Sequence, residues 1–203
     1  MSKRQKNPRE RFSFLRELVT EFQDTSSVDA KEQVLANLGN FAYDPDNYIH
    51  IKELNIVDLF LDNLEDENKN LVEFAIGGIC NLCLDKNFKQ LIYKRGGVPK
   101  VISCLSSERE ETVLSAITTL MFLIYPESKA DITTASVIDC MLRFKESSNR
   151  RISNLASVFL QDYCTSDQIQ NTRILSSTYS TLPRINIDDI YSISDIYQSS
   201  KFL

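Results

Sequence analysis

The chain has 203 residues, 42% of them apolar, no Trp, and a formal net charge of −5. That length suits one domain or a repeat array with tails, and the acidic balance excludes binding a nucleic-acid polyanion through bulk charge. Five cysteines in so long a chain exclude a disulfide-stapled miniprotein. With no apolar leader near Met1 and no run of about 18 apolar residues, the expectation is a soluble protein of the reducing nucleus or cytosol that engages no membrane.

The chain opens on "SKRQKNPRERF", with Lys3, Arg4, Lys6, Arg9 and Arg11 against the single acid Glu10. These cations suit RNA phosphate contact or a nuclear-import signal, and equally a solvated, disordered arm over 1–10. Residues 11–25 read as an N-terminal capping helix, with Phe12, Leu15, Leu18, Val19 and Phe22 on one stripe.

A repeat follows. "VLANLGNFAYD" (34–44), "AIGGICNLCLD" (75–85) and "AITTLMFLIYP" (116–126) align at a shift of 41, and "ASVFLQDYC" (156–164) at about 40. The apolar spacing within each copy is helical. Two shorter apolar patterns separate the copies: 46–54 and 57–64, then 87–95 and 98–105, then a degenerate set at 131–145. Three helices in about 41 residues predict an all-α, armadillo-type solenoid of about three repeats over 11–164, closed by a C-terminal cap at 147–164. Asp29-Ala-Lys-Glu32 and Ser107-Glu-Arg-Glu110 read as capping boxes, with Asn70 and Glu73 a weaker one. Asp44-Pro45 reads as a helix start and Gly96-Gly97 as a helix end.

Three features within the copies carry functional readings. Cys80 and Cys83 have metal spacing, but no second such pair exists and His50 is the sole histidine. The expectation is thiols in helix packing and no metal. His50 reads as a partly buried structural residue, since nothing supports a triad. Gly77-Gly78 lacks the company of a phosphate loop, which leaves close approach of a neighbouring helix (Gly78) or of a ligand chain (Gly77). Asn40 and Asn81 share one register, where an amide can clamp an extended peptide, stay solvated, or bond a neighbouring helix.

The remainder, 165–203, is Ser/Thr-rich and reads as a mostly disordered tail. "INIDDIYSISDIYQSSKFL" repeats Ile-Tyr, a pattern that could also add as an extended strand to a partner or take phosphate.

Five blocks, "ELVTEFQDT", "DAKEQVLANLGNFAYDPDNY", "LVEFAIGGICNLC", "ETVLSAITTLM" and "CMLRF", resemble the armadillo repeat family over roughly 12–164. The resemblance implies a small nuclear protein without catalytic activity or cofactor. It is similar to a component of the minor spliceosome that pairs with an RNA-binding-motif (RRM) protein and helps stabilise a small nuclear RNA near its capped end. Contact with the spliceosomal RNA is then expected to be indirect, and no small-molecule substrate is implied. In armadillo proteins that bind extended peptides the Asn of the third helix lines a concave groove. On that basis Asn37, Asn40, Gly77, Asn81, Thr118, Phe122 and Asp162 are the candidate partner-binding residues. The Trp–Asn ladder of importin-like receptors is absent, which argues against an import cargo receptor. The repeat alone equally allows an adaptor in cytoplasmic signalling or trafficking.

Overall fold

The structure, a computed structural model, describes residues 8–181, with side chains over 9–177. Two helices, α1 (Pro8–Asp24) and α2 (Val28–Phe41), begin the array. Three triplets follow. They are α3 (Tyr48–Glu53), α4 (Ile56–Asn63) and α5 (Lys69–Leu82); α6 (Lys86–Lys94), α7 (Gly97–Ser103) and α8 (Glu110–Leu123); and α9 (Lys129–Ile132), α10 (Ala135–Lys145) and α11 (Arg150–Tyr163). The last helix is α12 (Ser166–Thr181). No strand occurs among the described residues.

The third helices α2, α5, α8 and α11 pack one on the next. Each buries the stripe that the repeat predicts: Val34, Leu35 and Leu38; Ala75, Ile76, Ile79 and Leu82; Ala116, Ile117, Leu120 and Leu123; Ala156, Phe159 and Leu160. These join the second helices in one core running from Leu15 to Leu160. No triplet encloses its own apolar face, so each depends on its neighbour for burial.

Local chemistry repeats with the core. In the first two triplets the elbow between first and second helices turns on a left-handed residue, Asn55 (φ 54°) and, 41 positions on, Gly96 (φ 71°), whereas the third turns through Thr133 at φ −96°. Both Asn and Gly tolerate the left-handed region. Asp44 and Asp85 cap the segments that follow α2 and α5. Each third helix is entered through the same turn. Thr25, Asp66, Ser107 and Ser147 accept the backbone N–H of Ser27, Asn68, Arg109 and Asn149, the residues at the N-cap.

That turn corrects the capping boxes. Ser27, not Asp29, caps α2 by accepting the Ala30 N–H, and Asn68, not Asn70, caps α5. Ser107 lies two residues before the N-cap Arg109, whose side chain makes no cap. In two of the three boxes the Glu expected to close it reaches across to the next repeat instead: Glu32 accepts from Asn68 and Asn70, and Glu73 pairs with Arg109. In the third it is Glu111, one residue past the expected Glu110, that pairs with Arg151.

The C-terminal boundary also shifts. Residues 147–164 do not close the array, because α12 packs on α10. Thr172 is buried, Gln168 Nε2 donates to the Thr133 hydroxyl and carbonyl oxygens, and Ser176 Oγ donates to Asp139. Residues 166–181 are therefore helix rather than disordered tail. The Ile-Tyr segment, with the rest of 182–203, lies outside the described residues.

Candidate protein-interaction surface

Each third helix leaves one stripe uncovered, and the packing order sets the four stripes side by side. In shared register they carry Asn40, Asn81, Phe122 and Asp162, and one turn earlier Ala36, Gly77, Thr118 and Val158. The fold thus brings these register positions into one layer, with unequal freedom, while Asn37 shares the register of the buried Gly78 and Thr119 instead.

Asn40 and Asp162 are exposed. Asn37 is half-buried and accepts a hydrogen bond from Gln33 Nε2 at 3.4 Å. Gly77 faces open space, since an added Cβ would meet nothing within 4 Å. Thr118 Oγ1 donates back to the Leu114 carbonyl at 2.8 Å, and Phe122 lies under the Lys89 ammonium, 5.6 Å from the ring centroid. Asn81 is partly engaged within the fold, with one Nδ2 hydrogen donated to the Gly39 carbonyl at 3.0 Å. It therefore bonds a neighbouring helix through one of its two amide hydrogens.

Gly78 resolves the paired glycines. It is buried, and a Cβ there would sit 2.5 Å from the Phe60 ring of α4. Close approach of a neighbouring helix is its role. Gly39 stands opposite on α2, with its ideal Cβ position 3.4 Å from the Phe74 carbonyl oxygen.

Between α8 and α11 the layer opens into a groove of about 390 Å³ lined by Cys80, Leu114, Ser115, Thr118, Asn154 and Leu155, with Glu111 and Arg151 paired at its edge. Of the predicted residues only Thr118 lines it. The others were missed because Ser115 and Leu155 are an unmatched polar and apolar pair in the repeat register.

Ion pairs run between repeats along the starts of the third helices: Arg109–Glu73 at 3.1 Å and Arg151–Glu111 at 2.5 Å. Hydrogen bonds from Asn68 and Asn70, in that order of effect, hold Glu32 below the usual carboxylate range. All are exposed or half-exposed, so they set register more than stability.

The basic arm divides. Lys3, Arg4 and Lys6 lie outside the described residues. Arg11 is committed within the fold, pairing with Asp44 at 2.8 Å and Asp46 at 3.5 Å and donating to the Asn47 amide oxygen at 3.1 Å. That removes Arg11 from the RNA-contact set.

Cys80 is half-buried and Cys83 buried, and burial raises both thiols. No His, Cys, Asp and Glu cluster suited to a metal occurs among the described residues. His50 is half-buried with its ring 5.5 Å from that of Phe12. No described helix is long and apolar enough to cross a membrane.

A stacked array of three-helix repeats with an open third-helix layer defines an armadillo repeat protein, a protein-interaction scaffold fold. No protein-family model matches the chain. Armadillo repeat-containing protein 7 of Mus musculus is 55% identical over 161 residues, spanning 78% of this chain and 81% of that protein. The chain belongs to the armadillo repeat-containing protein 7 family.

Solved structures agree on the fold. Computationally designed armadillo repeat proteins for modular peptide recognition align with a TM-score of 0.66 at 17% identity, covering 72% of this chain and 63% of theirs. A designed armadillo repeat protein in complex with the peptide (KR)4 aligns at 0.66 and 16% identity, covering 74% and 64%. The chain thus spans a little under two thirds of these designed arrays.

Proposed function

We propose that this chain is a non-catalytic scaffold of the nucleus that holds an RNA-binding-motif protein within the minor spliceosome, and touches the small nuclear RNA chiefly through that partner. The observation that carries the proposal is the uncovered third-helix layer, in register from Asn40 to Asp162, in a chain that is 55% identical to the mouse relative over 161 residues. Peptide binding is described for designed proteins of this fold, which supports a protein chain as the occupant. The net charge of −5 and the internal engagement of Arg11 support indirect rather than direct RNA contact.

Mass spectrometry of what co-purifies with the tagged chain from nuclear and cytosolic extracts tests this. The expected result is an RNA-binding-motif protein together with spliceosomal components. Recovery of cytosolic partners alone would replace the reading with an adaptor in signalling or trafficking. The purified chain is expected to bind RNA weakly. Tight binding that falls steeply with salt would mean direct phosphate contact.

A further inference from the structure

The first helices of successive repeats also meet, and the two steps are finished differently. Between α6 and α9 the Tyr93 hydroxyl donates to the Asp131 carboxylate at 2.7 Å, and its ring stands edge-on to Tyr125 at 5.6 Å. Forty-one residues earlier the equivalents of Tyr93, Asp131 and Tyr125 are Lys52, Gln90 and Leu84. No hydrogen bond or ion pair joins Lys52 to Gln90 among the described residues.

The step between α3 and α6 is therefore left open as a groove of about 390 Å³. Tyr48 and Phe88, edge-on at 5.1 Å, and Leu91 form its floor. Ile49 borders it and is 70% exposed. Lys52 and Lys94 stand on the rims and form no ion pair among the described residues. The one lining carboxylate, Asp85, is occupied as the cap of α6, accepting the N–H of Asn87 at 2.8 Å and of Phe88 at 3.1 Å. The other flank of α3 is closed by α1, through Phe12 on His50 and Arg11 on Asp44.

We propose that this groove takes a short acidic segment of a partner protein. An aliphatic or aromatic side chain of that segment lies beside Ile49, Phe88 and Leu91, and its carboxylates meet Lys52 and Lys94. An apolar floor rimmed by two ammonium groups without an ion pair among the described residues, against a single carboxylate held in a helix cap, is the complement of such a segment. The nine residues of α6 give a groove of about 13 Å, room for about four extended residues. None of its lining residues belongs to the third-helix layer, so this surface stands apart from the proposed function and either can fail alone.

The test is selection of a random-peptide phage library on the full chain, followed by binding of the enriched peptides to the full chain and to Lys52→Glu/Lys94→Glu. The expected peptides carry Asp or Glu beside Ile, Leu, Phe or Tyr. They lose roughly tenfold in affinity on the double variant and recover when their acids are changed to Lys. Ile49→Ser, at an exposed site that folding does not need, weakens the same peptides. No enrichment, enrichment without acids, or equal affinity for the parent and either variant overturns the proposal. So does self-association of the parent chain that the double variant abolishes, since the occupant is then a second copy.

Discussion

Asn81 Nδ2 donates to the Gly39 carbonyl at 3.0 Å, joining α5 to α2 across 42 positions of sequence. Gly39 lies in the last turn of α2, where carbonyls lose their helical partners: the Tyr43 N–H bonds to Asn40 instead. The Asn81 amide satisfies that carbonyl. Asn81→Ala is expected to cost about 1 kcal/mol, read as a lower urea midpoint at unchanged slope. Asn81→Asp sets two acceptors against each other and costs more at pH 7. Part of that loss returns near pH 4, where the protonated acid can donate. An unchanged midpoint in both variants would show that the bond contributes nothing to stability.

The adjacent glycines separate packing from recognition. A Cβ at Gly78 would lie 2.5 Å from the ring of Phe60, which is itself fully buried and has nowhere to move. Gly78→Ala is expected to destabilise by about 1 to 3 kcal/mol through overpacking. Gly77 has open space and ordinary helical φ, so Gly77→Ala should stabilise by about 0.5 to 1 kcal/mol. Thermal denaturation of the pair decides both signs. If Gly77→Ala raises stability while weakening partner capture, the residue is glycine because a ligand chain passes close by.

How far these roles were legible follows from which interactions have a period. The third helices bury a stripe at spacings of three and four, so their positions and order can be read directly, whereas the paired glycines stay open until the Phe60 ring beside Gly78 separates them. The entry turn at Thr25, Asp66, Ser107 and Ser147 uses any short acceptor, and a four-residue box pattern shifts it by two positions. The helix at 166–181 was hidden because its docked face is mostly polar: Gln168 and Ser176 bond to Thr133 and Asp139, Thr172 is buried, and Ile169 packs on the core. Asn81 shows the limit at the site. Sequence places the amide on the correct face, but only the separation of α2 and α5 decides whether one of its two hydrogens is already used. The groove beside Lys52 was missed because its signal is a comparison between repeats, Lys where the next copy has Tyr.

Arg11 and Asp44 predict the response to acid. The Arg11 hydrogen bond, and then the Asp46 N–H, hold the Asp44 carboxyl below the usual carboxylate range, and Glu32 is held down likewise by Asn68 and Asn70. A depressed carboxylate contributes stability that is present above its unfolded value, about 4, and is lost as pH falls through the lower folded value. The chain should therefore lose stability below about pH 4. Arg11→Ala removes the main cause at Asp44, lowers stability at neutral pH and flattens that part of the acid response. Urea midpoints at several pH values check it: an acid limb of the same depth in Arg11→Ala would mean that the ion pair does not tie α1 to the array.

The thiols give the last test of the Cys80 and Cys83 spacing. Burial pushes the Cys83 thiol up strongly and that of Cys104 up to about 11. Only the thiolate reacts, so at pH 8 Cys104 presents about one reactive form in a thousand, and its sulfur is also enclosed. Iodoacetamide at pH 8 is expected to leave Cys83 and Cys104 unmodified in the folded chain, as read by intact-mass and peptide mass spectrometry. Both should react in urea. Cys80, Cys140 and Cys164 are half-buried and should label slowly but first. A chelator is expected to leave the thermal midpoint unchanged, because helix packing and not a metal holds these sulfurs. Rapid native labelling of Cys83, or a chelator-induced fall in the midpoint, would instead make the Cys80–Cys83 pair a redox or metal site and overturn its assignment to the core.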